Sequence, residues 1–133
     1  MKTQGQIEAA ICEGVRRFEL EFMGRGPTDI HCHLINELLV IRLQGVLTAA
    51  EQQLVQSEPS ERGRDLLKQV RIQLIETARP VLESMVLEVT GIKVVSLHHD
   101  ISTTTGEEVV VFTLAESPCV REKKVSLRDG GSK

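Results

Sequence analysis

The 133-residue chain is sized for one domain with a modest core, and its 41% apolar and 26% charged residues are ordinary for a soluble globular protein. No apolar run approaches the length that spans a membrane, so the chain itself is not expected to conduct an ion. A net charge of −3 and only three aromatics, Phe18, Phe22 and Phe112, argue against nucleic acid as a partner, since phosphate is not attracted and unpaired bases find no stacking platform.

The first predicted element is an amphipathic helix from about residue 4 to 23. Ile7, Ile11, Val15, Phe18 and Phe22 recur at spacings of four and three, and Gly24 and Gly26-Pro27 stop it. Alternation follows, with Ile30, Cys32 and Leu34 on one face of a strand and His31 and His33 on the other. Asn36-Glu37 turns the chain into a second strand, Leu38 to Leu43, ended by Gly45. Thr48 and Glu51 stand three apart, as in a capping box, and open a short helix interrupted at Ser57–Ser60.

A long helix comes next. Its stripe of Leu66, Leu67, Val70, Leu74, Ala78, Val81, Leu82, Met85 and Val89 is wide, and Pro80 is expected to kink it. Gly91 ends the helix, and a final hairpin has strands near 92–100 and 107–114, with Val95, Leu97 and His99 sharing a face. The fold class is therefore α+β, two β-hairpins in an antiparallel or mixed sheet packed on an N-terminal helix and a long kinked one. One domain covers residues 1–115, and residues 116–133 read as a flexible polar tail.

The tail is slightly basic: residues 115–133 carry five Lys/Arg and three Asp/Glu, against 11 and 16 in the rest. A charge of +2 is too weak to define an acidic partner. Cys12, Cys32 and Cys119 are odd in number and lack a C-x-x-C pair, which favours a reducing compartment over a disulfide framework. With no signal-peptide pattern at the start, the expected location is cytoplasmic, at most peripheral to the membrane.

Four clusters could carry chemistry. His31 and His33 point the same way from a strand and could chelate a metal, but Cys32 faces away from them, and a solvent-facing pair is the plainer reading. His98 and His99 point to opposite faces, whereas Asp100 shares a face with His98 and could orient its tautomer. No nucleophile completes that pair beyond Ser102 and Thr103 to Thr105, and Asp and Thr are ordinary turn residues. Arg25, between Gly24 and Gly26, lies at a helix C-terminus, where anions are repelled. A bound small ligand or anion would rest on Arg25, His98, Asp100 and Thr104. The wide stripe of the long helix is more than one four-stranded sheet is expected to cover, which leaves two equal readings: a helix-mediated homodimer, or cover by the amino-terminal helix.

Three segments, GRGPT at 24–28, GVLTAAEQQL at 45–54 and TGIKVVSLHHDISTTTGEEVVVFTL at 90–114, resemble the MpsC family in sequence and in order. That family is named for a sodium-translocating membrane-potential-generating system, and the resemblance spans about residues 5–115. Ala49 stands where relatives often carry Pro, a change that only affects a helix's first turn. The resemblance implies a small accessory or regulatory protein of a membrane cation-translocation or inorganic-carbon uptake system, with a membrane transporter component as partner. It supplies no catalytic residue and no cofactor. A ligand-, anion- or metal-sensing dimeric module is the alternative, and an enzyme using His98 and Asp100 is least favoured.

Overall fold

A computed structural model describes residues 1–121. Helix α1 (Gln4–Phe18) starts at a reciprocal cap: the Gln6 N–H donates to Thr3 Oγ1 at 3.1 Å, and the Thr3 N–H donates to Gln6 Oε1 at 2.9 Å. Its buried face is Ile7, Ile11, Val15 and Phe18. From Glu19 to Met23 the helix widens into a π-turn, and Gly24, at φ 89°, ends it. The wider turn changes the phase of the residues beyond it. Phe22, expected in the buried stripe, is consequently 53% exposed and stacks on Phe18 with ring centroids 5.2 Å apart.

Strands β1 (Asp29–Ile35) and β2 (Leu38–Gln44) form the first hairpin, with Asn36 taking a left-handed φ of 56° in the turn. Helix α2 (Ala49–Gln56) carries the expected Thr48–Glu51 capping box. The expected long kinked helix is two helices, α3 (Ser60–Thr77) and α4 (Arg79–Thr90), broken at Ala78. Pro80 falls in the first turn of α4, where its missing N–H would have had no intrahelical partner. Gly91, at φ 76°, closes α4 before β3 (Val94–Ile101) and β4 (Glu108–Leu114) complete the second hairpin.

The two hairpins lie side by side in one antiparallel sheet of order β1-β2-β4-β3, giving an α+β fold. The helices cover one face. Across it run the inward rows Ile30–Leu43–Glu108–Ile101, Cys32–Ile41–Val110–His99 and Leu34–Leu39–Phe112–Leu97. The outward rows are His31–Arg42–Val109–Asp100, His33–Val40–Val111–His98 and Ile35–Leu38–Thr113–Ser96. A bulge between Val94 and Ser96 reverses one expectation: Val94 joins Leu97 in the core while Val95 is exposed, because the extra residue resets the alternation.

Beyond β4, residues 116–121 return to the amino-terminus. The Arg121 N–H donates to the Lys2 carbonyl at 2.8 Å, and Val120 packs against the core. The expectation of a flexible tail, for residues 122–133, lies outside the described residues.

Candidate functional site

Backbone periodicity drives three charges into the core. The buried face of α1 steps by four through Ile7, Ile11 and Val15, and the next step is Glu19. On α3 the same step gives Leu67, Arg71 and Ile75, and the inward alternation of β4 begins at Glu108. Glu19, Arg71 and Glu108 are each only 1% exposed. Arg71 Nη2 stands 3.5 Å from Glu19 Oε1 and 3.9 Å from Glu108 Oε1, while Nη1 stands 3.7 Å from Glu51 Oε2 on α2. One guanidinium thus ties together four separate elements.

Three carboxylates against one cation cannot all stay ionised out of water without large cost. Burial, followed by repulsion from Glu108, pushes the Glu19 carboxyl up from 4.5 to about 8, with Arg71 opposing. Burial also raises Glu108, again against the pull of Arg71. At neutral pH Glu19 therefore holds a proton and shares it with Glu108 in a side-chain hydrogen bond, while Arg71 pulls both carboxyls toward the charged form. Arg71 Nε and Nη1 and Glu108 Oε1 have no hydrogen-bond partner among the described residues. The cluster stores a proton and fixes the packing of α1, α2, α3 and β4. Acid–base catalysis would need these groups within reach of a substrate, and their burial denies that.

The residues nominated from sequence lie elsewhere. Arg25 Nε donates to the Gly45 carbonyl at 2.8 Å, so its charge ties the loop after α1 to the end of β2. Asp100 Oδ1 accepts from the Ile101 N–H at 2.8 Å and faces Lys68 Nζ at 3.2 Å. These two contacts, the backbone one foremost, hold its carboxyl below the usual range. His98 shares the outer face with Asp100 as expected, and both border a shallow depression of about 200 Å³ with Val109 and Val111. Asp100 also meets Thr104 in a cleft of about 400 Å³ beside Lys68. Thr104 faces a further cleft, of about 500 Å³, between α2, Arg64 and the turn after β2.

His31 and His33 project from the outer face, opposite buried Cys32, and His31 Nε2 lies 3.1 Å from Asp29 Oδ2. Burial pushes the Cys32 thiol up to about 12, which makes it inert at neutral pH. His99 points inward, with Nε2 3.4 Å from Glu76 Oε2. Among the described residues no group of three or more His, Cys, Asp or Glu could hold a metal ion. The structure therefore gathers His98, Asp100 and Thr104 along one edge of the sheet and leaves Arg25, His31 and His33 apart from them.

The family model described as "Na+-translocating membrane potential-generating system (MpsC)" matches residues 3–116. The chain belongs to the MpsC family. Among its relatives, the uncharacterized protein YbcI of Bacillus subtilis (strain 168) is 34% identical over 113 residues, 85% of this chain and 89% of that one. The uncharacterized protein YrhF of the same organism is 29% identical over 116 residues, 86% and 90% of the two chains. No solved structure matches.

The MpsC match encloses every helix and strand of the described residues and all four members of the Arg71 cluster. Sequence reasoning passed over that cluster because it followed apolar residues and treated charges as solvent-facing. The signal was present as phase: Glu19, Arg71 and Glu108 each occupy a position that the neighbouring apolar residues mark as inward.

Proposed function

We propose that this MpsC-family chain is a non-enzymatic accessory or regulatory component of a sodium-translocating, membrane-potential-generating system, working at the cytoplasmic face of the membrane. The family match over residues 3–116 carries this reading. No helix of the described residues is long and apolar enough to cross a membrane, and the reading assigns the ion path to a membrane-embedded partner. Leu66, Val70 and Leu74 supply a surface for that partner: they recur every four residues on α3 and are 40–47% exposed. The non-enzymatic part draws support from the Arg71 cluster, whose charged groups sit out of a substrate's reach.

The experiment is a sodium-driven membrane-potential measurement, with a voltage-sensitive dye, in cells lacking the gene. The expected result is a reduced potential that the wild-type chain restores and Val70→Glu does not. An unchanged potential in the deleted strain would overturn the reading. A second reading, small-anion sensing, is favoured by the 500 Å³ cleft, which Arg64 lines together with Thr103, Thr104 and Thr105. It expects inorganic phosphate or bicarbonate to raise the melting temperature of the wild type but not of Arg64→Ala.

A further inference from the structure

The cleft between α2, α3 and the loop joining β3 to β4 differs in charge from the rest of the chain. Its volume is about 500 Å³, and Arg64 is the only charged side chain among the described residues that line it. The chain as a whole carries a net charge of −3. The acidic residues that flank the lining in sequence are turned to other cations, Glu51 to Arg71 and Glu107 to Arg42. Arg64 is half-buried, and no carboxylate pairs with it among the described residues. Its Nη1 donates to Ser60 Oγ at 3.1 Å, which leaves the other N–H groups of the guanidinium without a partner among those residues. A half-buried cation with no counter-charge is complementary to an anion.

We propose that this cleft holds a phosphate monoester with an uncharged, hydroxylated body, and that its occupancy pins α2 in place. The inference rests on the anion-sensing reading and gives it a ligand class. Thr103, Thr104 and Thr105 line the cleft as well, and each hydroxyl has a proton to donate. That holds for Thr105 too, whose Oγ1 only accepts, from the Glu107 N–H at 3.2 Å. A guanidinium with several hydroxyl donors suits the three terminal oxygens of a phosphomonoester better than a carboxylate's pair. Size then rules out the bare ion. At about 30 Å³ for each water-sized group, phosphate fills about a third of the cleft and leaves room for about ten further heavy atoms.

The body of the ligand meets a different set of groups. Gln52, Val55 and Gln56 stand at helical spacing and bring one flank of α2 to the cleft. Their two amides match the hydroxyls of a sugar or polyol, and Gln52 is already steadied by donating to the Leu47 carbonyl at 3.2 Å. No aromatic side chain lines the cleft among the described residues, so a nucleobase finds no ring to stack on. An occupant of this size bridges α2 to Arg64 of α3 and to the β3–β4 loop. The bridge strengthens the seat of a helix that has no fully buried side chain of its own. Release of α2 then requires the ligand to leave, and at ten times its dissociation constant the released fraction falls about tenfold. Because Glu51 of α2 stands against Arg71, the same ligand favours the state in which the buried charges are covered.

Isothermal titration calorimetry of the purified chain tests this with glycerol 3-phosphate, ribose 5-phosphate and glucose 6-phosphate, each set against inorganic phosphate. At least one ester is expected to bind about tenfold more tightly than inorganic phosphate. Arg64→Ala should abolish binding of both, and Gln56→Leu should weaken the ester alone, each with unchanged far-UV circular dichroism. Amide exchange across residues 49–56 should slow about tenfold in the presence of that ester at ten times its dissociation constant. Three esters that bind no better than inorganic phosphate, with phosphate still dependent on Arg64, overturn the proposal and leave the anion-sensing reading standing. No binding of any of the four overturns both. An ester held equally well by Arg64→Ala overturns the site, and exchange at 49–56 that ignores the ester overturns the pinning of α2.

Discussion

Replacing Arg71 by Met keeps the bulk of the side chain and removes the guanidinium that faces Glu108 and Glu19. Breaking one side of a buried ion pair ordinarily costs about 3–5 kcal/mol, because the remaining charge is stranded. Here Glu108 has an escape, which is to take up a proton as Glu19 already does. From an ordinary value of 4.5, holding a second proton at pH 7 costs about 3.4 kcal/mol, at 1.36 kcal/mol per unit. At pH 5 the same step costs only about 0.7 kcal/mol. The loss in Arg71→Met is therefore capped near 3–4 kcal/mol at pH 7, a large share of a small domain's stability, and shrinks by about 2–3 kcal/mol on acidification. Urea unfolding followed by far-UV circular dichroism at pH 5 and pH 7 measures both losses. Packing differences between Arg and Met appear at both pH values and cancel in the comparison. Equal losses at the two pH values would refute the assignment of a stranded carboxylate.

Three further outcomes are expected. The folded chain keeps a proton on Glu19 up to about pH 8, whereas the unfolded chain releases it near 4.5. The folded state binds more protons in that window, so stability falls as pH rises from about 4.5 to 8, by on the order of 3–5 kcal/mol. Glu19→Gln should flatten the slope in urea titrations across this range, and a slope unchanged in the variant would assign it elsewhere. At Gly63 an added Cβ would lie 1.9 Å from the Leu54 carbonyl oxygen, so Gly63→Ala must push α2 off α3. It should cost about 1–3 kcal/mol and speed amide exchange across residues 49–56. Thr48→Ala removes the hydroxyl that caps α2 and should lower the unfolding midpoint by the equivalent of about 1 kcal/mol.

Local chemistry made most elements readable from sequence. Thr48 with Glu51, Gly24 and Gly91 mark boundaries through rules that involve only a few neighbouring residues, and those boundaries stand, whereas Pro80, expected to kink one helix, lies in the first turn of a second. The α+β class followed from the switch between periods of 3.6 and 2. What local rules could not supply is pairing at long range. Glu19, Glu51, Arg71 and Glu108 become one site only when four elements meet. The bulge at Val94/Ser96 and the π-turn at Glu19–Met23 each change a phase with no distinctive residue to announce it, which is why Val95 and Phe22 lie on faces opposite to expectation. For the nominated edge, His98 and Asp100 were placed on one face correctly. The direction of the Asp100 carboxylate, toward Lys68, depended on where α3 docks.

Helix α2 contributes no fully buried side chain, yet its Glu51 covers the Nη1 side of Arg71. Elements with so little buried apolar contact detach at the smallest free-energy cost. Arg71, and through it Glu19 and Glu108, is thus sealed on one side by a helix held mainly through Leu54 and Val55, so weakening the seat of α2 is expected to hydrate the buried charges before the rest of the core opens.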